Sequence, residues 1–335
     1  MDLSITPVSA FPLEEIRTLV ARREWQRIVE RVSALPDTAE TEPEVAFHYA
    51  DALRRTGRTA EALAIAERLE APVGQRGDRR LHTLLVNLTG ICLFELGRNA
   101  AAEERFAQLL ELASEWGDEE SVGRACNNLG MLANIRGERD RALGWYGRAV
   151  ASYQRLGYTR GLAQTHHNLG ISYRDLGFDR EADAHYLRAM ELAAAAESED
   201  VIALAETERA VLRARGGDGE LARTLALRAR DRFERIGDPL GRAEAVRVLA
   251  LAARAEGRDD EAAAHLEEAF EAARAASDPL LRAEVQRDRG LLFRDTGDTG
   301  TAREALLDAA VHFETIGALA EAAAVRSLLD GLSPA

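Results

Sequence analysis

Lysine is absent from this 335-residue chain, and all 43 basic residues are arginine. That excludes a Schiff-base lysine, a lysine-dependent phosphate loop and a kinase-type lysine. Cysteine is almost absent too. Cys92 and Cys126 both lie in apolar stretches of helical period, where they read as small core residues rather than ligands or bridge partners. No apolar run approaches the roughly 18 residues of a membrane span. The first residues carry an acid at Asp2 and no basic segment before an apolar run, so a cytoplasmic protein without a signal peptide or membrane span is expected. The net charge of −14 argues against nucleic acid as a partner. The eight prolines read as markers of segment ends.

What is abundant favours helix: Ala, Glu, Arg and Leu dominate. With 46% hydrophobic and 30% charged residues, the chain has a foldable composition. Its main feature is a repeat. Asn127-Asn128-Leu129-Gly130 returns 40 residues later as His167-Asn168-Leu169-Gly170. The same step of 40 carries a small-residue ladder through Ala50, Gly90, Gly130, Gly170, Ala210, Ala250 and Gly290. A glycine ladder runs from Gly57 to Gly297, and an alanine ladder from Ala62 to Ala302.

Each ladder has a physical cause. A glycine that follows every first helical run suits a helix end, where φ > 0 is needed. Thr59, Asn99, Asp179, Asp259 and Thr299 come two residues later and are suitable N-cap types for a second helix. Asp78, Asp118, Ser198, Asp238 and Asp278 recur at the joins and can cap the next first helix. The small residues let paired helices approach closely. The expected unit is therefore helix, tight turn, helix. Its neighbours bury its apolar face, so the core grows in one direction. Two places depart from the pattern. Arg209 and Arg289 replace the leucine of Leu129 and Leu169, and Gly216-Gly217-Asp218-Gly219 reads as a longer loop or a hinge.

The ladders, with the aromatics Phe106, Tyr146 and Tyr186, resemble the tetratricopeptide repeat family over nearly the whole chain, Leu13 to Leu332. The 40-residue period looks like the subtype of Pins-type adaptors, kinesin light chains and bacterial Rap-type peptide receptors. The resemblance implies an all-α solenoid wound as a right-handed superhelix with capping helices at both ends. Residues 1–41 would form a lead-in and a capping pair, with helices at Leu13–Ala21 and Arg23–Leu35 stopped by Pro36. Residues 42–317 would form seven repeats, and 318–335 a terminal capping helix.

No catalytic constellation stands out, and neither an enzyme nor a bound cofactor is expected. His166 and His167 diverge by about 100° around a helix, which does not suit one metal ion. The informative surface is the concave face that the resemblance assigns to the first helices. There the chain places Asn87, Asn127, Asn128, Asn134, His167 and Asn168 with Arg174, Arg247, Arg254, Arg287 and Arg294, beside an apolar row. Asparagine can pair with a peptide backbone through both donor and acceptor. Arginine offers a fork for carboxylates. The expectation is a non-enzymatic scaffold that grips a peptide or protein segment, one with acidic residues. A peptide-responsive regulatory module or a self-assembling scaffold is the alternative. The two-lysine carboxylate clamp of some relatives has no counterpart here.

Overall fold

The computed structural model describes residues 13–34, 42–276 and 278–332. Pro7, Pro12, Leu35 and Pro36, and with them the lead-in and the stop after the first helix pair, lie outside the described residues. The chain forms two compact units, Met1–Leu96 and Gly97–Ala335. Helix is the only regular structure among the described residues. The first unit holds α1 (Leu13–Ala21), α2 (Trp25–Ser33), α3 (Pro43–Arg55), α4 (Thr59–Arg76) and α5 (Arg79–Glu95). The second holds α6 (Asn99–Trp116), α7 (Glu119–Ile135), α8 (Arg139–Leu156), α9 (Thr159–Asp175), α10 (Asp179–Ala195) and α11 (Glu199–Arg215). It continues with α12 (Gly219–Ile236), α13 (Pro239–Ala255), α14 (Asp259–Ala276), α15 (Pro279–Thr296), α16 (Thr299–Thr315) and α17 (Leu319–Asp330). Within each unit, successive helices pack against one another as an α-solenoid of helix-turn-helix units.

The glycine ladder does what its chemistry requires. Gly137, Gly177 and Gly217 sit at φ 79°, 80° and 81°, in the left-handed region. The small-residue ladder has a more specific cause than close helix crossing. A Cβ on Gly130 would stand 2.6 Å from the Tyr146 ring, and one on Gly170 would stand 2.3 Å from Tyr186. In these two repeats the first helix thus gives up a side chain to seat an aromatic ring from the second helix. Tyr146 is 2% exposed and Tyr186 0%. Asp78, Asp118, Asp238 and Asp278 accept from the backbone N–H three residues on, as N-caps should. Cys92 and Cys126 are buried, and burial pushes the Cys92 thiol up to about 12.

Four sequence expectations need correction. Thr59, Asn99, Asp179 and Thr299 are first helical residues, not caps; the cap positions before them hold Arg58, Arg98, Phe178 and Asp298. Only Asp298 of these four caps with its side chain. Ser198 makes no side-chain cap either. Pro72 lies inside α4 rather than at an end. Its position is exposed, so the carbonyl that loses its N–H partner can turn to water. The Gly216–Gly219 turn has the same length as its counterparts, with Gly217 left-handed and Asp218 capping α12. It is neither a longer loop nor a looser one. Arg209, where a leucine was expected, pairs with Asp183 at 2.7 Å.

The last helix goes further than covering the final repeat. Ala322, Val325 and Leu329 of α17 join a core with Leu306, Ala309 and Phe313 of α16, and Ile135 of α7 packs on the same cluster. The Asn99 side chain donates to the Ile316 carbonyl at 2.6 Å, across 217 residues. Arg139, at the start of α8, reaches Glu321 of α17 at 3.3 Å. Within the second unit, its end thus touches its beginning.

Candidate ligand-binding cavity

The first helices α7, α9, α11, α13 and α15 lie side by side, each against the next. Their shared face borders a cavity of about 950 Å³. Val211, Leu251 and Leu291 give it an apolar floor, one residue from each of three successive first helices. These are equivalent positions in the 40-residue step, so the helical register that builds the core also builds the floor. Arg139 of α8 and Ala320, Glu321 and Ala324 of α17 close one side.

Of the residues singled out from sequence, Arg174, Arg247, Arg254 and Arg287 line this cavity. Asn127, Asn134, His167 and Asn168 form an adjoining polar cluster on α7 and α9. Asn168 donates to Asn127 at 3.1 Å, Ser172 to Asn134 at 2.7 Å, and His167 Nδ1 lies 3.2 Å from the Asn168 oxygen. Asn128 is half-buried on α7. Asn87 is half-buried on α5 and belongs to the first unit. Arg294 is exposed at the end of α15, 2.7 Å from Asp295, and outside the cavity lining.

The cavity arginines are not idle forks. Arg247 meets Asp288 at 2.5 Å, Arg254 meets Asp295 at 2.6 Å, and the Asn168–Asn127 and Asn134–Asp175 pairs follow the same rule. Each joins residues 41 apart in sequence. A 40-residue step places equivalent residues side by side, and the helix tilt advances the contact by one. The polar face is therefore a set of rungs between neighbouring repeats. Arg174 pairs with Asp175 at 2.9 Å and also with Glu208 of the next repeat.

Electrostatics follow from burial. Arg247 is 4% exposed and holds Glu244 at 2.5 Å as well as Asp288, with Glu284 at 3.6 Å. Burial pushes Asp288 upward, yet Arg287 and Arg247 together bring it below the usual carboxylate range. Glu244 goes the other way. Its burial raises it, Arg247 opposes, and the neighbouring charges of Glu284 and Glu208 raise it further. His167 is 7% exposed, and burial lowers its pKa. Its Nε2 has no hydrogen-bond partner. His166 turns to the second helix of its own repeat, where its Nδ1 lies 2.9 Å from that of His185. Burial and the charge of His185 lower His166 to about 4. No group of three or more His, Cys, Asp or Glu suited to a metal ion occurs among the described residues. No described helix is long and apolar enough to cross a membrane.

Sequence reasoning passed over the acids that complete the rungs, and it passed over Arg139, Arg215 and α17 as parts of the wall. A signal was available for some of them. Asp175, Arg215 and Asp295 all stand five residues after the small ladder, beside the position that was read. The contribution of α17 had no sequence signal, because it depends on how far the stack turns.

Residues 80–155 match the tetratricopeptide repeat family. A search of curated proteins returns no match. Among solved structures, a Rap protein complexed with competence and sporulation factor is similar over 96% of both chains, at 16% identity and a TM-score of 0.64. A Rap conjugation gene regulator of plasmid pLS20, in complex with a peptide, aligns over 86% of this chain and 80% of its own, at 15% identity and a TM-score of 0.68. The apo form of the quorum sensor NprR from B. thuringiensis aligns over 96% and 97%, at 14% identity and a TM-score of 0.53. At these identities the likeness is one of fold.

Proposed function

We propose that this tetratricopeptide-repeat protein is a non-enzymatic binding module whose second unit takes a peptide or protein segment along its first helices. The observation that carries the reading is the cavity of about 950 Å³, with its apolar floor and fixed polar rungs. Its size lies at the upper end of ordinary ligand pockets. Asn127, Asn128, Asn134, His167 and Asn168 would meet the backbone of the segment, and Arg174, Arg247, Arg254 and Arg287 its polar groups. Arg294 would extend the contact surface beyond the cavity, and Asn87, on the first unit, would make a contact of its own. Two of the similar structures are named as peptide or factor complexes. A bacterial, cytoplasmic setting fits those neighbours.

The test is affinity purification from the native cell with wild-type protein and with Asn127, Asn128 and Asn168 changed together to Ala. Loss of a specific partner with unchanged helical circular dichroism is the expected result. Equal recovery by both proteins would refute the assignment.

A second reading, a peptide-responsive regulator, rests on α17. Where it meets α8, Arg139 Nη1 and Glu321 Oε2 are buried without hydrogen-bond partners. Such groups weaken a contact, so a segment entering the cavity would displace α17 before any other wall. Small-angle scattering with and without bound peptide separates this reading from a rigid scaffold. Light scattering over a dilution series addresses self-assembly.

A further inference from the structure

The positive charges of the cavity are unevenly matched. Arg174, Arg247, Arg254 and Arg287 each have a carboxylate within 3.0 Å. Arg139 lies 3.3 Å from Glu321 and 3.6 Å from Asp175. Arg215, the last residue of α11, lines the same cavity, and among the described residues its guanidinium has no hydrogen bond or ion pair. Partial desolvation, and then the charges of Arg174 and Arg287, push it below the ordinary arginine value, with Asp175 and Glu208 opposing, while the residue as a whole stays exposed.

Those two acids are not available to it. Asp175 serves Arg174, Arg139 and Asn134. Glu208 serves Arg174 and Tyr186. The C-terminal end of α11 favours a cation and keeps Arg215 charged, but a helix dipole does not fill a guanidinium fork. Arg215 is itself exposed where it lines the cavity, so its five donors are open to an incoming group. Its equivalents in other repeats are not arginines that face a cavity. Asp175 and Asp295 are acids already paired on it, and Ala255 carries no charge.

We infer that Arg215 is the anion anchor of this cavity and takes a carboxylate of the bound peptide, an acidic side chain or the free C-terminus, in a bidentate fork. The inference rests on the peptide-binding reading above. Arg174 and Arg287 add positive potential at the same place, and Val211 and Leu251 supply apolar contact for the atoms beside the carboxylate. The neighbouring arginines contribute less, because their forks are closed by rungs that would have to break. Specificity for an acid is thus concentrated in one residue rather than spread over the arginine face.

The test uses a random heptapeptide library displayed with a free C-terminus on the full chain. The recovered peptides should share an Asp, a Glu or a dependence on the terminal carboxylate. Synthetic copies should bind Arg215→Gln roughly tenfold to a hundredfold more weakly than wild type. Replacing the acid with its amide, or amidating the C-terminus, should cause the same loss in wild type and no further loss in Arg215→Gln. The two changes made separately tell a side chain from a terminus. Peptides that bind Arg215→Gln as well as wild type would overturn the anchor and leave the peptide-binding reading standing, as would losses that simply add. A library that yields no binder would remove the reading itself, and the anchor with it.

Discussion

Arg247→Met is a severe test of the rung description. The substitution keeps an apolar stem of similar length and removes the charge from a side chain that is 4% exposed. Glu244 loses its partner at 2.5 Å, and Glu284 its nearest one, at 3.6 Å. Asp288 loses one of two cations but keeps Arg287 at 3.0 Å. Breaking one side of a buried ion network costs about 3–5 kcal/mol, and the retained Arg287 argues for the lower half of that range. The cost should depend on pH. In the wild type, the lowered pKa of Asp288 contributes stability above its unfolded pKa, and that contribution is lost as pH falls through the folded value. In the variant, Glu244 stands beside Glu284 without the opposing Arg247, so its folded pKa rises further. The penalty is then full at neutral pH and shrinks as acid protonates Glu244. Urea unfolding followed by circular dichroism at pH 7.5 and pH 5 reads both effects. A cost under about 1 kcal/mol at pH 7.5, or an equal cost at both pH values, would show that the network does not hold these repeats together.

Two further outcomes follow from backbone geometry. Gly170→Ala should destabilise, because its Cβ would meet the fully buried Tyr186 ring at 2.3 Å. That overpacking costs about 1–3 kcal/mol, more than the helix gain of up to about 1 kcal/mol. Gly147→Ala, where the new Cβ meets nothing within 4 Å, should stabilise by up to that gain. Thermal unfolding compares the two, and shifts of the same sign would refute the ring-seating account. Glu197 is an exposed non-glycine residue at φ 51°, where Gly77, Gly117 and Gly157 stand in other repeats. Glu197→Gly should raise stability by up to about 1 kcal/mol; a lower midpoint in urea would contradict it.

How much of this was legible depends on the range of each cause. Gly57 to Gly297 could be read because a helix end imposes its φ locally. The joins at Asp118 and Asp238 could be read because a cap acts over three residues. Thr59 and Asn99 were misplaced by one position, since their chemistry suits both the cap and the first turn. The arginines of the inner face were found, but their partners were not. A rung such as Arg247–Asp288 needs the offset of 41, and the ladders alone give 40. Arg209 looked like a packing fault until Asp183, 26 residues earlier, supplied its partner. Arg215 was hidden by its neighbour Ala214, which occupies the position that was read.

The meeting of α17 with α7 and α8 changes how strain should travel through the second unit. A linear stack has two free ends, and its terminal repeats fray because each lacks a neighbour. Here Asn99, Ile135 and Arg139 give the end of the unit, Ile316 and the last helix, a second set of contacts. The connectivity is that of a loop rather than a line. Opening it anywhere breaks two interfaces instead of one, so no repeat in the loop is the obvious place to begin. A disturbance at the cavity can reach any repeat by two routes, and α17 is where the routes join.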